Sequence, residues 1–157
     1  MTAMITGARF GHVNIVARDW RTLAAFYQDL FGCVLVPPER DYAGPVLEAG
    51  TGVKGSTLKG VHLRLPGHGP DGPTLEIYSY SVIGGGSSAP AVNRPGFAHL
   101  AFVVDSVREA HAQVLAAGGR PVGEIVTTTP GLGLRITWCY LTDPEGNVIE
   151  LQSSERE

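Results

Sequence analysis

Two histidine–glutamate pairs stand out in this sequence because the second pair repeats the position of the first. His12 and Glu76 belong to the first half of the chain, and His99 and Glu150 belong to the second half. Each glutamate lies between two apolar residues, so the period-two alternation of a strand points its carboxylate away from the apolar face. A lone histidine or glutamate in a strand is usually structural or solvated. The matched repetition favours a shared chemical role.

If the four side chains converge, their charges favour a bound metal ion. Two carboxylates in one partly buried site repel each other, and one of them would have to take up a proton. A divalent cation removes that repulsion, since two neutral imidazoles and two carboxylates balance its charge. Mixed nitrogen and oxygen ligands suit zinc, nickel, iron(II), cobalt or manganese. The sequence therefore predicts one divalent-metal site with the ligands His12, Glu76, His99 and Glu150.

An internal repeat explains why the two pairs match. A shift of 87 residues carries His12 onto His99, and the same shift holds over residues 10–32. Later a shift of 74 residues carries Glu76 onto Glu150. We predict a single domain over residues 1–157, divided into a first module over 9–80, a Gly/Ser/Pro linker over 81–94 and a second module over 95–153.

Each module is predicted to follow the order βαβββ, with one helix and four strands, and the first module has one strand-like segment more than this order requires. Asp19 caps the first helix and Gly32 stops it, and a capping box from Ser106 to Glu109 begins the second helix. The predicted strands are 12–17, 33–36, 46–49, 58–65 and 74–80, then 99–104, 122–128, 134–141 and 147–152, with a turn at 143–146 before the last. The fold class is thus α+β, with two tandem βαβββ modules forming a curved mixed sheet around a metal-binding cleft.

Bulk composition excludes several classes of partner. The chain has 157 residues, of which 43% are hydrophobic and 17% are charged, and its formal net charge is -3. The sequence has no basic stripe that could bind nucleic acid. It also has no apolar run of the roughly 18 residues needed to cross a membrane. Residues 1–10 lack the pattern of a signal peptide. With only Cys33 and Cys139, which form no disulfide framework, the sequence favours the cytoplasm.

Three stretches of the sequence resemble the vicinal oxygen chelate superfamily, which includes glyoxalase I, bleomycin-resistance proteins and extradiol dioxygenases. The first runs from His12-Val-Asn-Ile-Val to Leu30-Phe-Gly, the second is Gly96-Phe-Ala-His-Leu-Ala-Phe, and the third is Asp143-Pro-Glu-Gly-Asn-Val-Ile-Glu-Leu. The resemblance implies one divalent metal per site, and it places the ligands at the four residues named above. A glutamate at position 76 makes this set similar to that of glyoxalase I.

That resemblance implies a metal-dependent lyase or isomerase of the glyoxalase type. The substrate would be a small molecule with two adjacent oxygens, and the metal would stabilise its enediolate as a Lewis acid. A carboxylate would move a proton next to the carbonyl, with Glu150 the first candidate for this base and Glu76 the second. The basic residues that hold glutathione in glyoxalase I are not matched, so glutathione is not expected. Candidate substrate contacts on the open face are Asn14, Arg64, Tyr78 and Tyr80.

Two further side chains give a weaker signal. His62 alternates with Val61 and Leu63, and it either lines the cleft or is merely exposed. Glu48, within the predicted strand 46–49, is a candidate second acid/base carboxylate, although an exposed edge glutamate is the commoner role.

Other functions stay open at this point. An extradiol-type dioxygenase holds iron(II) with two histidines and one carboxylate and needs open positions for substrate and O₂, so a fourth ligand at Glu76 disfavours it. A metal-free protein that sequesters a drug tends to lose the ligands, and all four are present. Homodimers are common in the superfamily. The sequence leaves open whether the four ligands come from one chain or from two.

Overall fold

The computed structural model describes residues 5–86 and 90–156. Residues 87–89 of the predicted linker lie outside the described residues, and so do residues 1–4 of the N-terminal stretch discussed for a signal peptide. The chain divides into two compact units, Met1–Ile83 and Gly84–Glu157. Each unit carries one mixed sheet with a helix against one of its faces. In the described part of the chain, no helix is long and apolar enough to span a membrane.

The first unit contains a four-stranded sheet in the order β1-β4-β3-β2, in which β1 and β4 are parallel and the other neighbours are antiparallel. Its elements are β1 (His12–Val16), α1 (Trp20–Phe31), β2 (Val34–Tyr42), α2 (Pro45–Thr51), β3 (Leu58–Arg64) and β4 (Thr74–Tyr80).

Helix α1 begins and ends where the sequence predicts. The Asp19 side chain accepts hydrogen bonds from the backbone amides of Arg21 and Thr22, which satisfies two free donors of the first turn. Gly32 ends the helix in the left-handed conformation, at a φ of 66°. The buried face of the helix, which includes Leu23 and Tyr27, packs against β3 and β4. The opposite face of this sheet is therefore left for the polar residues.

The second unit repeats the plan with a sheet in the order β5-β9-β8-β6, in which β7 also pairs with β8. The predicted turn at 143–146 is confirmed: the Asp143 carboxylate accepts hydrogen bonds from the backbone amides of Glu145 and Asn147. The elements of this unit are β5 (His99–Val103), α3 (Val107–Ala116), β6 (Arg120–Pro121), β7 (Val126–Gly131), β8 (Leu134–Thr142) and β9 (Val148–Arg156).

Two strand predictions are wrong. Residues 46–49 belong to α2, because Pro45 suits the first turn of a helix and Gly52 ends it in the left-handed conformation. Glu48 therefore lies in a helix and not in a strand. Of the predicted strand 122–128 only residues 126–128 form a strand, the start of β7, because residues 122–125 are irregular and include Gly123, where a missing side chain weakens strand packing.

Gly60 of β3 is required because β4 approaches it closely. An added Cβ would meet the carbonyl oxygen of Ile77 and would lie 2.6 Å from Cδ1 of the Tyr78 ring. Gly60→Ala should therefore lower the free energy of unfolding by about 1–3 kcal/mol, as overpacking generally does. Urea denaturation measures this. Gly50→Ala is the control, since Gly50 lies in α2 with open space around it and should gain about 0.5–1 kcal/mol. Equal stability of the two variants would contradict the close approach.

Candidate metal centre

Glu76 lies in the middle of the first sheet, on the face opposite helix α1. The residues on either side of it, Leu75 and Ile77, are fully buried, as the alternation predicts. Strand pairing sets Asn14 of β1 and His62 of β3 directly beside Glu76. We call this surface the Glu76 face, and the polar residues that the same pairing places on it include His12, Asn14, Arg40, His62, Arg64, Thr74, Glu76, Tyr78 and Tyr80.

Each oxygen of the Glu76 carboxylate faces a histidine. Nε2 of His12 lies 3.4 Å from Oε2, and Nε2 of His62 lies 3.1 Å from Oε1. The Glu76 side chain is only 11% exposed, whereas that of His12 is 53% exposed. A carboxylate so shielded needs polar or positive partners, and the two imidazoles supply them.

Arg40 fixes the proton of His62. Nη2 of Arg40 lies 3.3 Å from Nδ1 of His62, and because arginine only donates, Nδ1 must be the acceptor. Nε2 then carries the hydrogen, and it lies 3.1 Å from Oε1 of Glu76. Burial lowers the pKa of His62, the Glu76 carboxylate opposes that shift, and the neighbouring Arg40 and His12 add to it. His62 is therefore neutral, and its Nε2 faces the Glu76 carboxylate.

Tyr78 completes this group, because its hydroxyl also contacts Nε2 of His62. Burial raises the pKa of Tyr78, and the charge of Glu76 raises it further, so the hydroxyl stays protonated. Asn14, another predicted substrate contact, uses its amide to donate to the backbone carbonyl of Glu76, at 3.4 Å. Arg64 and Tyr80 lie at the two ends of the β3–β4 pairing, on the same face.

The second unit carries the matched pair. Nε2 of His99 lies 3.0 Å from Oε2 of Glu150, and the two side chains are 30% and 18% exposed. Tyr140 lies beside Glu150 in the strand pairing, where the first unit has His62. The Tyr140 ring packs against the His99 ring with 5.0 Å between their centroids. Burial, together with the charge of Glu150, raises the pKa of Tyr140.

The spacing within each pair suits two ligands of one ion. Metal–ligand bonds of about 2.0–2.2 Å place two adjacent donor atoms roughly 2.8–3.6 Å apart, and the measured separations are 3.4 Å and 3.0 Å. Each pair therefore fits half of a coordination shell. Among residues 5–86 and 90–156, no group of three or more His, Cys, Asp or Glu side chains is arranged to hold a metal ion.

His62 is the residue that the sequence left undecided. Its alternation with buried neighbours shows which face it occupies, but its contact with Glu76 depends on the pairing of β3 with β4. That pairing follows from the length of the hairpin loop, residues 65–73. A hairpin in which this loop joins the two strands pairs His62 with Glu76.

Comparison with known proteins identifies the fold. The solved structure of a glyoxalase family protein from Bacillus cereus is similar to this chain, with a TM-score of 0.80 and 19% identity over 97% of this chain and 99% of that one. A glyoxalase family protein from Enterococcus faecalis has a TM-score of 0.59, with 21% identity over 94% of this chain and 99% of its own. A genomically encoded fosfomycin resistance protein from Listeria monocytogenes has a TM-score of 0.56, with 18% identity over 96% and 94%.

These identities show a shared fold and no more, and no curated protein matches the sequence. The model of the Glyoxalase/Bleomycin resistance protein/Dioxygenase superfamily matches residues 9–151. Members of that superfamily commonly bind a divalent metal, act on small molecules and often form dimers. The match spans both His–Glu pairs and confirms the resemblance and the α+β fold class. The chain therefore belongs to the glyoxalase/bleomycin resistance protein/dioxygenase superfamily.

Proposed function

We propose that this protein is a metal-dependent lyase or isomerase that moves a proton next to a carbonyl group. The duplicated pair carries the proposal, because both units hold a histidine and a shielded glutamate at matched strand positions, 3.4 Å and 3.0 Å apart. One zinc, nickel, iron, cobalt or manganese ion would be bound by His12, Glu76, His99 and Glu150. The two pairs come from one chain or from the two chains of a homodimer. A cytoplasmic location is part of the same proposal.

The two carboxylates suit different tasks. Two histidines hold Glu76, which makes it a fixed ligand, whereas His99 is the one ion-pair partner of Glu150 in the described chain. The less constrained carboxylate is better able to reach a substrate carbon. We therefore assign Glu150 as the base that accepts the proton and returns it to the adjacent carbon or to the other face. When bound, the metal would supply a Lewis acid for a substrate with two adjacent oxygens.

Elemental analysis combined with a substrate panel tests this function. The panel contains hemithioacetals, acyl-CoA thioesters, keto-sugars and catechols. We expect one divalent ion per chain and turnover of one of the first three classes, lost on chelation and restored when the metal is returned. Full turnover by the chelated protein would overturn the proposal, and so would a protein that binds no divalent ion.

One contact favours a second candidate, an extradiol-type dioxygenase with iron(II). Nε2 of His62 lies 3.1 Å from Oε1 of Glu76, and a carboxylate held in this way has less reason to bind a metal. Without Glu76, the ligands would be two histidines and one carboxylate, the set typical of oxygen-activating iron enzymes with open positions. Catechol-dependent oxygen uptake in the presence of iron(II) would support this candidate. Turnover of a proton-transfer substrate without oxygen would exclude it.

A further inference from the structure

Arg64 has a buried donor that the protein leaves unsatisfied. It is the last residue of β3 and lies on the Glu76 face, paired with Thr74 of β4. Its Nε atom is buried and has no hydrogen-bond partner within the described residues. A buried donor on a charged group keeps the full cost of its desolvation unless a partner arrives. The described part of the chain thus supplies no acceptor for this atom, and a bound anion would supply one.

The nearby carboxylate does not provide that acceptor. Glu76 is the diagonal neighbour of Arg64 across β3 and β4, a distance of roughly 7–8 Å that long side chains can span. Its two oxygens instead face His12 and His62. Lys59, on the opposite face of β3, differs from Arg64 because its Nζ lies 3.4 Å from Oδ2 of Asp41. Lys59, the exposed cation of the strand, has a carboxylate partner, and Arg64, the partly buried cation, has none among the described residues.

The chemistry of arginine indicates which acceptor fits. The Nε and Nη hydrogens form a planar fork that matches two oxygens of a carboxylate, phosphate or phosphonate. Arg64 and His12 flank Thr74 in one row across the sheet, so their backbones lie roughly 10 Å apart by the usual strand spacing. A small molecule could thus reach both. The matched position in the second unit is Thr142, so only the first unit has this arginine.

We propose that Arg64 forms a subsite for an oxyanion of the substrate, beside the metal ligands. The substrate would then carry a carboxylate or a phosphate-type group at one end, in addition to its two adjacent oxygens. This inference deepens the proposed function and rests on it for the position of the reacting oxygens. The anion subsite itself requires no bound metal, and this makes it separately testable.

Nitrogen-15 NMR of the metal-stripped protein tests the subsite directly. The Arg64 Nε–Hε signal is assigned by its loss in Arg64→Lys, a variant that keeps the charge but loses the fork. Lactate and methylphosphonate serve as probes, and neutral lactamide is the reference. We expect lactate or methylphosphonate to shift the signal saturably and lactamide to leave it unchanged. The tighter of the two anions identifies the type of group.

Anion binding by the variants is measured from the change in NMR chemical shift of the Thr74 backbone amide. Arg64→Lys should weaken anion binding at least tenfold, while Lys59→Met, which removes a charge from the other face of β3, should leave it unchanged. Equal weakening by the two variants, an equal shift with lactamide, or no binding of either anion would overturn the proposal. Because the metal is absent, failure here with metal-dependent turnover intact would reject the subsite alone. Binding here without any metal affinity would reject the proposed function alone.

Discussion

Glu150→Gln is expected to lower kcat by about 10²–10⁴-fold, the usual contribution of a positioned general base. Glutamine keeps the shape of the side chain and can still contact His99, but it cannot accept the proton. The loss should therefore appear in kcat even when the protein is saturated with metal. Steady-state kinetics with the substrate found by the panel, at several metal concentrations, measures it.

Glu155→Gln is the matched control for this change. Glu155 lies on the same strand, β9, but its side chain is exposed and alternates onto the other face of the sheet. Its paired neighbour on β8 is Arg135. Its kcat should stay within about twofold of the original protein, since surface changes away from a site have small effects. A Glu150→Gln protein with full activity would refute Glu150 as the base.

The sequence was sufficient to predict most of the fold because the decisive signals are local. Asp19 and Gly32 delimit α1, and the apolar neighbours of Glu76 show which way its carboxylate points. The strand prediction for 46–49 failed because a short run with three apolar or small residues, Val46, Leu47 and Ala49, fits a buried strand and a helical turn equally well. Pro45 and Gly52 were the signals that would have decided for a helix.

Contacts between strands were harder to predict, because a hairpin length decides them. The 74-residue shift that matches Glu76 with Glu150 would match His62 with Ile136. In the structure Tyr140 takes the place of His62, since the turn between β8 and β9 is shorter than the loop between β3 and β4. The two modules therefore repeat their proposed metal ligands but not the residues beside them. Because of this asymmetry, only the first unit has a histidine beside its carboxylate. The metal affinity of a Glu76 variant therefore tests what that histidine does.

Glu76→Gln should separate the two candidate functions. If Glu76 is a ligand, as the lyase or isomerase requires, the change should lower metal affinity as strongly as Glu150→Gln does. The loss should exceed the roughly 10–100-fold that follows from altering a residue that merely supports a ligand. Competition with a chromophoric chelator measures the affinity, and turnover of the panel substrate should fall with it.

His62→Gln is the control, because its amide can still donate toward Oε1 of Glu76 while the ligand itself is unchanged. Its metal affinity should fall by no more than the range for a supporting residue. A different pattern would favour the iron(II) dioxygenase: Glu76→Gln would retain its metal, and Glu150→Gln would lose it. In that case His62 holds Glu76 away from the ion, and two histidines with one carboxylate leave the open positions that oxygen chemistry needs. The contact of 3.1 Å between His62 and Glu76 is thus the feature whose role these variants decide.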